Sequence, residues 1–414
     1  MFRTIALIFI SSVLIFAGCK TNEKIGVQNL SYLYNKADNT IHPQATSYSI
    51  NDSTIQVQYR FLTNEMLFTR ADPDSPFFSN YSVCMRLFST LDTRMIHDSA
   101  TRYFSLNAKD TSQWIKGSGE IRAHLGSDYL LEVRVNDLNR NQFSKTYLFV
   151  YRKLAGGSQD YQIKLNNELS FTKYYNQGDK LSVQYCKPVS KLFLVNYFKD
   201  EFPIATPPFS SFIEKATVPS PDSSFWAGSD NDGSFSLTLN KKGIYQIHAD
   251  TSVANCLNIP VFYPGYPEIV KPENMLPPLR YLTTKQEYEK MDLQLNKKAA
   301  VDNFWIDCAG NLNRAKTMIR NYYSRVQSCN EFFTNHTEGW KSDRGMIYLV
   351  FGPPNILYKS PDSENWIYGE ENNAQSMSFV FVRSNSAFSE NEYILSRNPI
   401  YKYNWYNSVE MWRR

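Results

Sequence analysis

Histidine is scarce in this 414-residue chain, and its few copies are scattered. No two of the five lie within one helical turn of each other; they are His42, His97, His124, His248 and His336. Protein zinc sites are built on closely spaced His and Cys ligands, so this scatter argues against a His-rich metal site. We therefore predict neither a metal site nor a cofactor.

An excess of charge of one sign is also lacking. Lys and Arg number 44 and Asp and Glu 40, too even a balance for a surface that binds nucleic acid. A charged fraction of 20% with a hydrophobic fraction of 42% excludes a disordered chain and a polytopic membrane protein. The sequence contains no Walker loop, Rossmann glycine pattern, GxSxG elbow or HExxH motif. We predict no catalytic residues.

The amino terminus resembles a targeting signal. A basic Arg3 precedes an apolar run, residues 5–16, that is too short to span a membrane as a permanent helix. The sequence Ile-Phe-Ala-Gly-Cys that follows resembles a bacterial lipobox, in which the cysteine thiol is acylated and becomes the new terminus. We predict a lipoprotein signal peptide over 1–18, lipidation of Cys19 (diacylglycerol and palmitate-type chains), and a tether over 19–26. A plain membrane anchor or an ordinary signal peptide is the alternative.

The residues after Cys19 indicate which membrane receives the protein. They read Lys-Thr-Asn-Glu-Lys, without the Asp that retains lipoproteins at the inner membrane. The acidic run that marks surface-exported lipoproteins of the Bacteroidota is also missing. We therefore predict an outer-membrane lipoprotein that faces the periplasm.

Five further cysteines remain in the mature chain, an odd number that leaves at least one thiol free. Cys186 and Cys256 fall within one predicted β domain and form the one pair that we consider for a disulfide. The alternative is that all five are small buried hydrophobic residues.

Strand-like runs fill the first two thirds of the chain. In STIQVQYRFL (53–62) apolar and polar residues alternate with period two, and DYLLEVRVND (128–137) is a similar run. Many short strands between turn residues are typical of an immunoglobulin-like sandwich, which we predict over 27–155. A second, smaller sandwich is predicted over 160–265.

The pattern changes after a Pro-rich stretch at 266–280, which we predict to be an extended linker. Thr284 and Glu287 have capping-box spacing and predict the start of a helix. Two more helices and then short strands follow, including one predicted at 346–352. The chain is therefore predicted to be multidomain, with all-β sandwiches followed by a C-terminal α+β domain over 281–414.

The α+β domain contains the segment Glu-Gly-Trp-Lys-Ser-Asp-Arg-Gly, residues 338–345. Together with the Gly-Pro-Pro turn at 352–354 and the Trp366-Ile-Tyr strand, it resembles the GWxTD domain family of bacterial envelope proteins, found mainly in the Bacteroidota. This chain has Ser342 where the family motif has Thr. The resemblance implies no catalytic residues, because the molecular role of the family is poorly defined.

Two interpretations of the motif remain open. As a structural turn, it needs glycines that adopt positive φ, hydroxyl and carboxylate acceptors for backbone N–H groups, and a large aromatic anchor. As a ligand or partner site, it offers an acid or base and a guanidinium that clamps an anion. The residues concerned are Gly339, Trp340, Ser342, Asp343, Arg344, Gly345 and Trp366.

Other short patterns are less specific. Asp-Ser-Thr at 52–54 and Asp-Ser-Ala at 98–100 resemble the O-glycosylation acceptor of the Bacteroidota, which makes Ser53 and Ser99 candidate sites. Asp-Asn-Asp-Gly at 230–233 resembles part of a calcium loop, but the distal Glu is missing, so a β-turn is favoured.

Two functions follow from these patterns. The first is a non-enzymatic lipoprotein in which two sandwiches extend from the membrane and the GWxTD domain binds a protein partner of the envelope. The second is a periplasmic enzyme or glycan-binding lipoprotein with its site in the GWxTD domain. An open cleft containing Trp340, Trp366 and Arg344 favours the second function, and burial of these side chains favours the first.

Overall fold

The fold is taken from a computed structural model. It describes residues 25–414 except 92–94, 111, 188–190, 201, 212–218 and 253. The predicted signal peptide, Cys19 and most of the predicted tether lie outside the described residues. No helix among the described residues is long and apolar enough to cross a membrane.

The first part of the described chain folds into two antiparallel sheets that face each other across a buried core. The sheet orders are β1-β2-β5 and β4-β3-β6-β7. Alternate side chains of β2 are buried, as the period-two pattern predicts. The strands are β1 (Gln44–Ser49), β2 (Thr54–Leu62), β3 (Phe78–Phe88), β4 (Ile96–Asn107), β5 (Trp114–Arg122), β6 (Tyr129–Asp137) and β7 (Gln142–Val150).

A second pair of sheets follows and repeats this order. The run β14-β11-β8 corresponds to β5-β2-β1, and β13-β12-β15-β16 corresponds to β4-β3-β6-β7. The sandwich-like architecture is confirmed, and its immunoglobulin-like detail stays a prediction. The strands are β8 (Tyr161–Leu165), β9 (Glu168–Leu169), β10 (Tyr175–Asn176), β11 (Lys180–Tyr185), β12 (Leu192–Lys199), β13 (Ser223–Gly228), β14 (Ser234–Thr238), β15 (Gly243–His248) and β16 (Leu257–Phe262).

The two cysteines considered for a disulfide, Cys186 and Cys256, are both free thiols in this second sandwich. Each is partly buried, and burial raises the pKa of each thiol to about 12. The alternative, in which the cysteines act as small apolar residues, fits this environment better. At 230–233 the chain forms a turn, closed by the Gly233 amide that donates to the Asp230 carbonyl at 3.0 Å.

The last third combines helices with a four-stranded antiparallel sheet, which confirms the α+β prediction. The helices are α1 (Pro272–Met275), α2 (Lys285–Asp292), α3 (Lys297–Ala309), α4 (Leu312–Phe333), α5 (Asp343–Phe351) and α6 (Tyr401–Trp412). The sheet contains β17 (Ile356–Lys359), β18 (Ser363–Tyr368), β19 (Met377–Arg383) and β20 (Tyr393–Leu395), paired in chain order. The predicted capping box opens α2, where Thr284 and Glu287 exchange hydrogen bonds with each other's backbone amides.

The strand predicted at 346–352 is wrong, because this segment is helix α5. Ser342 caps the helix, and the residues from Asp343 to Val350 are all buried. A helix that is buried on every side has a continuous apolar sequence, and such a run cannot be told from a buried strand by periodicity. The capping residue Ser342, directly before the apolar run, is the sequence signal that distinguishes a helix from a strand here.

The predicted extended linker at 266–280 is also wrong, because this segment is folded into the C-terminal core. Its prolines begin short helical turns, α1 and a 3₁₀ turn at Pro277–Tyr281, where the missing N–H costs nothing. Leu276 and Leu279 are buried, and the Tyr266 hydroxyl accepts a hydrogen bond from the Gly339 amide at 3.2 Å.

Residues 25–38 form three 3₁₀ turns that pack between the first sandwich and the C-terminal domain. One hydrophobic cluster contains Leu30 and Tyr34 of this segment together with Phe88 of the sandwich and Trp366 of the last sheet. The end of the predicted tether is therefore part of the folded body. We call residues 25–38 the amino-terminal segment.

Candidate functional site

The GWxTD motif folds as a 3₁₀ turn, Gly339–Lys341, joined directly to helix α5. The Ser342 hydroxyl links the turn to the helix. It accepts a hydrogen bond from the Gly345 amide at 3.0 Å and donates one to the Gly339 carbonyl at 2.7 Å. Serine and threonine both supply this cap, so the departure from the family motif preserves the contact.

The two motif glycines are needed for close packing, and not for the positive φ that the sequence analysis proposed. Neither has a positive φ. A methyl group on Gly339 would overlap the carbonyl of Cys329 in α4, and one on Gly345 would overlap the carbonyl of Gly339. The turn therefore lies directly against two helices, which only glycine permits at these positions.

Trp340 is the anchor of the turn, with 1% of its surface exposed. Its indole N–H donates to a Glu338 carboxylate oxygen at 2.8 Å, and its backbone amide donates to the side chain of Asn330 at 3.3 Å. The ring meets Tyr281 edge to face at 6.0 Å. The one N–H group of the indole therefore already has a hydrogen-bond partner inside the protein.

Asp343 ties the start of α5 to the end of the sheet. Its carboxylate forms an ion pair with Arg397, with one Nη1–Oδ2 distance of 3.0 Å, and accepts the Leu395 amide at 2.8 Å. Burial raises the pKa of Asp343 above its ordinary value, although Arg397 opposes this. The first residue of the helix therefore serves both as a first-turn carboxylate and as a link to β20.

Arg344 lies in a buried charge cluster behind the motif. Its guanidinium donates to Glu364 at 2.9 Å and to the carbonyl of Asn391 at 2.9 Å, and it lies over the Tyr393 ring. Lys359 reaches the same Glu364 oxygen at 2.7 Å. We call Tyr34, Arg344, Lys359 and Glu364 the charge cluster.

The amino-terminal segment supplies the fourth member of this cluster. The Tyr34 hydroxyl shares its one proton between the two Glu364 oxygens, at 2.9 and 3.1 Å. The backbone carbonyl of Tyr34 accepts a hydrogen bond from the Tyr348 hydroxyl at 2.9 Å. The Trp366 indole donates to Glu364 as well, at 2.9 Å. A residue from the start of the chain therefore completes a site in its last third.

The electrostatics of the charge cluster stabilise its charged form. Burial alone would raise the pKa of Glu364, but Lys359 and Arg344 together lower it to about 2. Burial, followed by the neighbouring Glu364 charge, raises the pKa of Tyr34 to about 12, so the phenol stays neutral. The cluster holds two cations and one carboxylate, and hydrogen bonds satisfy all of them.

The structure therefore brings together Trp340, Ser342, Asp343 and Arg344 with Trp366, but in the interior and not at a cleft. Arg344 is 2% exposed and Trp366 is 0% exposed. Glu364 was not among the predicted site residues, although it shares the inward period-two face of β18 with Trp366. Nothing in the sequence connected Tyr34 to this site.

The other candidate residues lie elsewhere. Ser53 is partly buried beside β2, where its hydroxyl donates to Asn51 at 3.0 Å, and Ser99 is exposed on β4. No group of three or more His, Cys, Asp or Glu side chains among the described residues could hold a metal ion. Lipidation of Cys19 falls outside the part of the chain that the structure describes.

A groove of about 600 Å³ lies between α6 of the C-terminal domain and a loop at 204–209 of the second sandwich. Its walls include Phe209 and Tyr406, whose rings are 5.5 Å apart, and the ion pair between Arg413 and Glu287 at 2.7 Å. None of the motif residues contributes to it.

Comparison with known proteins assigns the C-terminal part of the chain. Residues 243–414 match the model of the GWxTD domain, beginning at β15 in the second sandwich, ahead of the predicted start at 281. No curated protein matches the chain. A solved structure of a transglutaminase from red sea bream is similar at 9% sequence identity and a TM-score of 0.21. The similarity covers 55% of this chain and 33% of that one, and it is too weak to indicate a shared fold or function. Residues 243–414 of this chain, which contain the GWxTD motif itself, therefore belong to the GWxTD domain family.

Proposed function

We propose that the protein is a non-enzymatic lipoprotein of the cell envelope. It is anchored in the outer membrane through acylated Cys19, faces the periplasm, and acts as a protein-interaction or assembly module. The burial of the motif supports this function most strongly. Trp340, Arg344 and Trp366 bond to other protein groups and are closed to solvent, so the motif is a device that holds the domain together.

The surface of α6 is the best candidate for the partner-binding face. Ile400, Tyr403 and Met411 are large, strongly exposed apolar side chains. Ile400 immediately precedes the first residue of α6, and the spacings of three and eight residues place the three side chains on one side of the helix. Grouped apolar side chains on an exposed surface are typical of protein interaction sites.

Affinity purification from native membranes tests this function. The tagged wild type is compared with a Tyr403→Asp, Met411→Asp double variant and with a Lys402→Glu control on an exposed position of the same helix. We expect the same envelope proteins to co-purify with the wild type and the control, and at least tenfold less with the double variant. Equal recovery from all three would remove α6 as the binding face, and the absence of any specific partner would contradict the proposed function.

The groove beside α6 favours the alternative, an enzyme or glycan-binding lipoprotein with its site in the GWxTD domain. Its aromatic and charged walls are of the kind that bind polar ligands. Binding of periplasmic glycan fragments that is lost on Tyr406→Ala, with partner recovery unchanged, would favour this alternative.

A further inference from the structure

The amino-terminal segment is fixed to both of its neighbours from its first described residue. Ile25 is buried, and the Gly26 amide donates to the Leu91 carbonyl of the first sandwich at 3.0 Å. On the other side, the Leu30 amide donates to the Leu357 carbonyl in β17 at 2.8 Å. Residue 25 therefore lies where the first sandwich and the GWxTD domain meet.

Covalent geometry limits how far this point can be from a lipid on Cys19. Six peptide units separate residue 19 from residue 25, and a fully extended chain covers about 3.3–3.6 Å per residue, or about 20 Å in all. Helix α4 alone, with 22 residues, is about 33 Å long. The tether can therefore separate the junction from the lipid on Cys19 by at most about 20 Å, which is less than the length of helix α4.

Exposed apolar side chains lie in the stretches of chain that form this junction. Val27 is 59% exposed and follows the Gly26 amide that bonds to Leu91. Met95 is 63% exposed, and its neighbour Ile96 pairs with Phe88 in the β3–β4 ladder. We call Val27, Met95 and Ile96 the anchor-side patch.

We propose that the anchor-side patch is a membrane-contact surface that rests on the lipid bilayer. The junction between the GWxTD domain and the first sandwich is then held at the membrane, and the second sandwich faces the periplasm. This placement differs from an array of sandwiches that carries the GWxTD domain away from the membrane. It rests on the proposed lipid anchor at Cys19, which supplies the attachment, while the patch sets the orientation.

Photo-crosslinking of the acylated full-length protein in phospholipid vesicles tests the orientation. The vesicles contain phosphatidylethanolamine, phosphatidylglycerol and a lipid with a diazirine near its headgroup, and mass spectrometry identifies the modified peptides. We expect peptides that contain Val27 or Met95 to be labelled at least fivefold more than the peptide that contains Trp226. Trp226 is a matched control, because it is 59% exposed but lies in the second sandwich.

A Val27→Asp, Met95→Asp double variant separates the patch from the anchor. Both side chains are exposed, so the fold is expected to persist, and flotation with vesicles should stay unchanged while labelling around residues 25–30 falls at least threefold. Flotation of the wild type with equal labelling at Trp226 would overturn this orientation and leave the lipid anchor in place. The anchor and this inference would both be overturned if the wild type did not float with the vesicles, or if the Cys19→Ala variant floated as well as the wild type.

Discussion

Replacing Glu364 by glutamine is expected to destabilise the GWxTD domain strongly. The substitution keeps the shape of the side chain but removes the one carboxylate that faces Arg344 and Lys359, at 2.9 and 2.7 Å. Both cations then stay buried without a counter-charge, and breaking a buried ion pair in this way costs about 3–5 kcal/mol. Tyr34→Phe removes only one hydroxyl from the same cluster, so we expect a smaller loss, about 1–3 kcal/mol.

The same contacts predict how stability depends on pH. The pKa of Glu364 is lowered from an ordinary 4.5 to about 2 in the folded protein. A carboxyl whose pKa is depressed by folding contributes stability above its unfolded pKa, and this contribution is lost as the pH falls through the folded value. The loss between pH 5 and pH 2 corresponds to about 3 kcal/mol, and Glu364→Gln should not show it.

Urea unfolding followed by tryptophan fluorescence measures both effects. Five of the seven tryptophans report on the C-terminal domain, namely Trp305, Trp340, Trp366, Trp405 and Trp412. Glu370→Gln is the matched control, because this neighbouring carboxylate is exposed and should change stability by less than about 0.5 kcal/mol. If Glu364→Gln were no less stable than this control at pH 7, the charge cluster would not hold the domain together.

Four further outcomes are expected. Gly345→Ala should cost about 3 kcal/mol in a urea melt, since the added methyl overlaps backbone that cannot move aside. Trp340→Ala should cost about 3–5 kcal/mol and Asp343→Asn less, and two unchanged melting temperatures would contradict a structural role for the motif. Limited proteolysis should spare the folded segment around the buried Leu279, and early cleavage there would show that it opens. Cys19→Ala should remove the protein from carbonate-washed membranes, and its retention there would refute lipidation.

Much of the fold could be predicted from local patterns. The period-two alternation in β2 and the capping box at Thr284 each depend on neighbouring residues, and both elements are present as predicted. The same local reasoning failed for α5 and for the stretch at 266–280. In both cases burial against distant residues decided the conformation, and composition alone favoured the other outcome.

The conformation of the motif was predicted only in part. The motif residues do lie together, yet positive φ at Gly339 and Gly345 was the wrong reason for their presence. The true reason is close packing: the Cys329 carbonyl of α4 lies against Gly339, and the Gly339 carbonyl lies against Gly345. Glu364 could have been found from its inward position beside Trp366, since a carboxylate on a buried face requires a partner.

The contact between Tyr34 and Glu364 could not be predicted from the sequence. It shows that the core of the GWxTD domain includes residues from the start of the chain. Tyr34 lies 330 residues from Glu364 along the chain but bonds to both of its carboxylate oxygens. A fragment that begins at Gly243 or later keeps Arg344 and Lys359 and loses this hydroxyl, together with the apolar cover of Leu30. The family match covers residues 243–414, whereas the packed core around Glu364 also includes Tyr34 and Leu30 of the amino-terminal segment. The acylation that we propose at Cys19 lies six residues before this segment, so the proposed anchor and the residues that complete the GWxTD core are close neighbours in the sequence.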